Sequence, residues 1–84
     1  MKVKVEQKHI DEGEPERDES CAIACALHDM GHVEVIVEMP MVYIGERAFR
    51  LPRAADEWAR QFDKDKSSVA PIEFEMPEVG DDRE

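Results

Sequence analysis

Apolar and polar residues alternate from the start of the chain: in MKVKVEQ, Val3 and Val5 fall on one face and Lys2, Lys4 and Glu6 on the other. A period of two predicts a half-buried β-strand. The period returns in HVEVIVEMP, with Val33, Val35, Val37 and Met39 on one face and Glu34, Ile36 and Glu38 on the other, until Pro40 interrupts it. Near the end, Ile72, Phe74 and Met76 alternate with Glu73 and Glu75, and Pro77 closes the run. Between these, MVYIGERAFRL reads as a hairpin of two short apolar runs around Gly45 and Glu46, where glycine accepts the positive φ of a tight turn.

Two stretches carry helical spacing instead. In PRAADEWARQF the residues Ala54, Ala55, Trp58, Ala59 and Phe62 form the stripe of an amphipathic helix, and Pro52 suits its first turn, where a missing N–H costs nothing. In ESCAIACALHDMGH, Asp18 or Ser20 is placed to cap a helix and Gly31 to end it. Ile23, Leu27 and Met30 make its large apolar side, while Ala22, Ala24 and Ala26 allow close approach. With so few polar residues between 21 and 28, this helix calls for apolar neighbours on more than one side, from a cluster under the N-terminal loop or from a second copy of the chain.

The resulting order, β-α-β-β-β-α-β, predicts a single α+β domain over residues 1–77, with a mainly antiparallel sheet and two helices packed on one face. A split-βαβ, ferredoxin-like arrangement is one topology this order permits. Two segments fall outside the periodic pattern. Residues 11–19, DEGEPERDE, hold six acids, one base, a glycine and a proline with nothing to bury, and so predict an exposed loop. Residues 78–84 carry four acids and little to pack, and predict a frayed tail.

Charge sharpens this picture. At 84 residues the chain has room for one small domain, and its formal net charge of −10 repels phosphate backbones and attracts basic partners. Direct nucleic-acid binding is therefore disfavoured. No segment approaches the roughly 20 apolar residues of a membrane span, and MKVKVEQK lacks the apolar core of a secretory signal, so a cytoplasmic protein without a membrane partner is expected.

Cys21, Cys25, His28 and His32 project in a narrow stripe that suggests a zinc site. Axial distance argues against one: at about 1.5 Å per residue the first and last are roughly 16 Å apart along a helix, whereas zinc ligands lie about 2.0–2.3 Å from a single ion. A complete site would need His9 or the acidic loop to contribute. The two cysteines, four apart on one helix with Cβ atoms roughly 5–6 Å apart, are too distant for a mutual disulfide, whose Cβ atoms lie about 3.5–4.5 Å apart. A thiolate paired with His28 is opposed by the surrounding negative charge.

The carboxylate pairs Glu34 with Glu38 and Glu73 with Glu75 fall on strand faces that are expected to be solvated. No phosphate-binding glycine loop, nucleophile elbow or metalloprotease helix is present, so neither a catalytic residue, a metal nor a cofactor is expected. Among the aromatics, Trp58 and Phe62 belong to the helical stripe and the core, which leaves Tyr43 on the hairpin as the surface anchor.

CAIACAL, VYIGERAFRLP, the helix ending in QFD and the closing VAPIEFEMP together resemble a group of small, mostly uncharacterised bacteriophage and prophage proteins, over most of the chain from Cys21 to Pro77. That resemblance implies a phage origin, and with it host-takeover or anti-defence roles, CRISPR inhibition included, exercised by binding. It brings no assigned residue roles.

The expectation is a non-enzymatic inhibitor whose acidic surface blocks a basic nucleic-acid-binding site on a host defence protein or nucleoprotein complex. Asp11, Glu12, Glu14, Glu16, Asp18 and Glu19 form the primary surface, with Glu34, Glu38, Glu73, Glu75 and Tyr43 beside them. The alternatives are a structural or regulatory protein that forms a homodimer through the Cys/Ala-rich helix, and a thiol- or zinc-dependent protein.

Overall fold

Alternation translates into strands in the computed structural model, which describes residues 1–79. In chain order the elements are β1 (Lys2–Val5), α1 (Gln7–Glu12), α2 (Ala22–Asp29), β2 (Val35–Glu38), β3 (Met41–Ile44), β4 (Arg47–Arg50), α3 (Arg53–Lys64), a 3-10 turn (Lys66–Ser68), β5 (Ile72–Glu75) and β6 (Glu78–Val79). The α+β class and the expected order of strands and helices hold, with α1 and β6 added.

The strands divide between two antiparallel sheets, where one was expected: β1 pairs with β5, and β2, β3, β4 and β6 form the other in that order. In the first sheet, Val3 faces Phe74 and Val5 faces Ile72. Pro77 ends β5, and its carbonyl accepts from the Arg50 N–H at 3.1 Å, steering the chain onto β4. Residues 78–79, expected in a frayed tail, therefore extend the larger sheet, and Arg47 fastens them with two bonds to the Glu78 carboxylate at 2.8 and 3.1 Å. Residues 80–84 of that expected tail lie outside the described residues.

Helix α2 touches α1, β1 and β2, which accounts for its composition. Ala22, Ala24 and Ala26 are all buried, and only small side chains let a helix sit this close to neighbours on several sides. Its start carries no side-chain cap, since Cys21 occupies the cap position rather than Asp18 or Ser20. Gly31, at φ +102°, ends the helical path, as glycine's freedom in that region permits.

The segment expected as loop from residue 11 begins inside α1, where the sequence pattern gave no warning. Ile10 and His9 are buried, and the Glu6 backbone N–H donates to His9 Nδ1 at 2.9 Å, closing the first turn. In α3, Ala55, Ala59 and Phe62 are buried as their spacing requires, whereas Ala54 is exposed. Trp58 is half-buried and stacks on Phe62 with ring centroids 5.8 Å apart, while its Nε1 donates to the Ala70 carbonyl at 2.7 Å.

Candidate functional site

Beyond α1, residues 13–20 form an irregular loop whose shape is set by hydrogen bonds at both ends and at its tip. The Glu14 N–H donates to the Ser20 carbonyl at 2.8 Å, and the Ser20 hydroxyl donates to Glu14 Oε1 at 3.0 Å, closing the base. Lys66 reaches in from the 3-10 turn and donates to the carbonyls of Asp11 and Gly13, each at 2.9 Å. The Glu16 N–H donates to Asp63 Oδ1 of α3 at 2.8 Å. On the far side, the Val37 N–H donates to the Asp18 carbonyl at 2.8 Å, so the loop lies along the outer edge of β2 and takes up a donor that an edge strand would otherwise present to solvent.

Glu16 adopts φ +65°, the left-handed region that side chains with a β-carbon seldom occupy. This conformation turns the tip of the loop while keeping its carboxylate exposed.

Asp11, Glu12, Glu14, Glu16, Asp18 and Glu19 are all exposed, and among the described residues none is in an ion pair. Asp11 accepts from Gln7 Nε2 one helical turn away, a neutral contact that leaves its charge uncompensated. The secondary acids separate into two pairs. Glu34 and Glu38 are exposed and have no ion-pair partner among the described residues, whereas Glu73 pairs with Lys2 at 3.4 Å and Glu75 with the N-terminal ammonium at 3.0 Å. Facing Lys2 and Lys4 across β1 and β5, Glu73 and Glu75 form a cross-strand charge ladder that contributes little net charge to a binding surface. The sequence grouped all four because the strand partner of residues 73 and 75 cannot be read from spacing.

The Cys/Ala-rich helix offers no competing site. Among the described residues no group of three or more His, Cys, Asp or Glu is positioned to hold a metal. His32 leaves the stripe beyond Gly31, and His9 is buried between helices, with its Nε2 2.8 Å from Asp29 Oδ2. Since His9 Nδ1 accepts a backbone N–H, its proton sits on Nε2 and is donated to Asp29. Both ring nitrogens are thus committed to structure, which leaves His9 no free lone pair for a metal or a nucleophile. Burial raises the pKa of both thiols, most directly at Cys21, and at Cys25 the charges of Glu12, Asp29 and Glu14 push the same way. The alanine face that suggested a dimer is consumed within the chain: Ala22, Ala24 and Ala26 are 0–1% exposed. A second copy could reach that face only by displacing α1 or a sheet.

Tyr43, expected at the surface, is exposed on the outer face of the larger sheet beside its cross-strand neighbour Ile36. With Val33 it lines a groove of about 420 Å³ between β2, β3 and the end of α2. Val33 was expected on the buried face of a longer strand, but the chain enters β2 only at Val35.

No family model matches the chain, and no curated protein or solved structure matches it either. No helix among the described residues is long and apolar enough to cross a membrane.

Proposed function

We propose that this protein is a non-enzymatic inhibitor that binds a basic nucleic-acid-binding site on another protein and keeps nucleic acid out of it. The observation that carries this reading is the set of six exposed carboxylates on α1 and the following loop, none of them ion-paired among the described residues, held in place by hydrogen bonds to α3, β2 and Lys66. A flexible acidic tail would lose conformational freedom on binding, whereas a pre-shaped array avoids most of that cost. The left-handed Glu16 supports it further, because backbone strain of this kind clusters at binding and switch sites. Resemblance to phage proteins makes a host defence complex, such as a CRISPR effector, the natural target.

The chain and a variant with Glu14, Glu16 and Asp18 replaced by Lys serve as paired baits in bacterial lysate at low and high salt, and the captured proteins are then tested for nucleic-acid binding with and without the chain. The expected result is nucleic-acid-binding proteins retained at low salt by the native chain alone, whose substrate the chain displaces. Identical capture by both baits, insensitive to salt, overturns the proposal.

A further inference from the structure

Four large apolar side chains are exposed among the described residues: Met30 at 48%, Val33 at 83%, Ile36 at 38% and Tyr43 at 36%. Three of them, Val33, Ile36 and Tyr43, line the groove between the end of α2 and the β2–β3 hairpin. Glu19 and Glu34 line it as well, and among the described residues no lysine or arginine does. Neither carboxylate has an ion-pair partner among the described residues. His28, also on the groove wall, faces backbone carbonyls with both ring nitrogens, Nδ1 2.9 Å from the His32 oxygen and Nε2 3.4 Å from the Glu19 carbonyl oxygen, and meets neither carboxylate.

From this geometry we propose that the groove receives an arginine side chain of the protein partner. An arginine matches both features at once. Its methylene stem lies along apolar walls, its planar guanidinium stacks on an aromatic face such as that of Tyr43, and its donors pair with carboxylates in a fork that an ammonium cannot reproduce. An apolar side chain alone would leave Glu19 and Glu34 uncompensated beside it, and an acidic one would be repelled. The proposal rests on the partner being a basic protein, but it assigns a separate contact to it. Long-range attraction by the loop acids sets the rate of encounter, and the groove supplies a short-range anchor that slows release.

The test titrates the labelled protein with the tripeptide acetyl-Val-Arg-Val-amide, followed by backbone amide NMR, against the same peptide with lysine or citrulline in place of arginine. The expected result is saturable shifts confined to the groove: Glu19, His28, and residues 33–36 and 43–45. Binding should weaken about tenfold with citrulline and in Glu34→Gln, as for loss of one charged hydrogen-bonding partner, and should also weaken in Tyr43→Ala. Both variants alter exposed side chains, and unchanged melting curves confirm that they fold. A third variant with Glu14, Glu16 and Asp18 replaced by Gln separates this contact from the loop: groove shifts that persist there stand even if the loop has no partner. Shifts spread over every acidic segment, equal binding of the lysine peptide, or full binding by Tyr43→Ala overturns the proposal.

Discussion

A β-carbon on Gly13 would lie 2.6 Å from the backbone nitrogen of Ala22 and 2.8 Å from its Cα. The end of α1 and the start of α2 therefore meet backbone against backbone, and the acidic loop is the span between them. Gly13 itself has φ −70°, so the requirement is space and not conformation.

Replacing Gly13 by Ala should cost about 1–3 kcal/mol, the range for overpacking against atoms that cannot move aside. Gly31 provides the contrast, because a β-carbon there meets nothing within 4 Å but must accept φ +102°. Gly31→Ala should cost about 1 kcal/mol, from backbone strain alone. Denaturant melts of both variants, with amide exchange across residues 13–22, separate the mechanisms: only Gly13→Ala should loosen the loop.

Glu16→Gly should make the protein more stable, by about 0.5–1 kcal/mol, because glycine occupies the left-handed region freely and the gain is only partly offset by its flexibility when unfolded. The same change should weaken binding to a basic partner. Thermal melts and salt-dependent binding of one preparation check both at once, and a glycine variant that binds at full strength removes Glu16 from the surface.

Lys66→Met should free the carbonyls of Asp11 and Gly13 and cost about 1–3 kcal/mol through loss of charge-assisted bonds. Faster amide exchange over residues 13–20 in this variant, with the β1–β5 sheet unchanged, is the expected signature.

The Asp29 carboxyl is held below the usual carboxylate range by its hydrogen bond from His9, and after that by Lys8 at 3.1 Å. A carboxylate whose pKa is lowered on folding contributes stability above its unfolded pKa, near 3.9, and loses that contribution as pH falls through its lowered folded value. Melting temperatures of the native chain and Asp29→Asn should thus differ at neutral pH and converge in acid. A gap that stays constant down to strongly acid pH contradicts the assignment.

Thiol labelling should follow burial. With both pKa values raised, Cys21 should resist alkylation at neutral pH and half-buried Cys25 should react slowly, while both label at similar rates once the chain is unfolded. Intact-mass measurements over time give the order, and rapid labelling of Cys21 in the folded protein would restore the thiol-dependent reading.

Local patterns carried strands β1 to β5, the β3–β4 turn at Gly45, helix α3 and the end of α2 at Gly31, because each depends on residues within a few positions of one another. They also carried the concentration of negative charge at 11–19, which is a property of composition. Tertiary structure decided everything that depends on contacts distant in sequence. It divided the strands between two sheets, since β5 finds its partner 67 to 73 residues away in β1 and Pro77 hands the chain over to β4. It neutralised Glu73 and Glu75 with Lys2 and the N-terminal ammonium, while Glu34 and Glu38 found no ion-pair partner among the described residues. It turned a helix that resembled a metal stripe or a dimer seam into the packed centre of one chain, because α1, too short for a periodic signal, covers a side that its apolar composition left without a neighbour. The acidic loop gained a defined shape in the same way, from Asp63, Lys66 and Val37, residues that no spacing around residues 11–19 could have named.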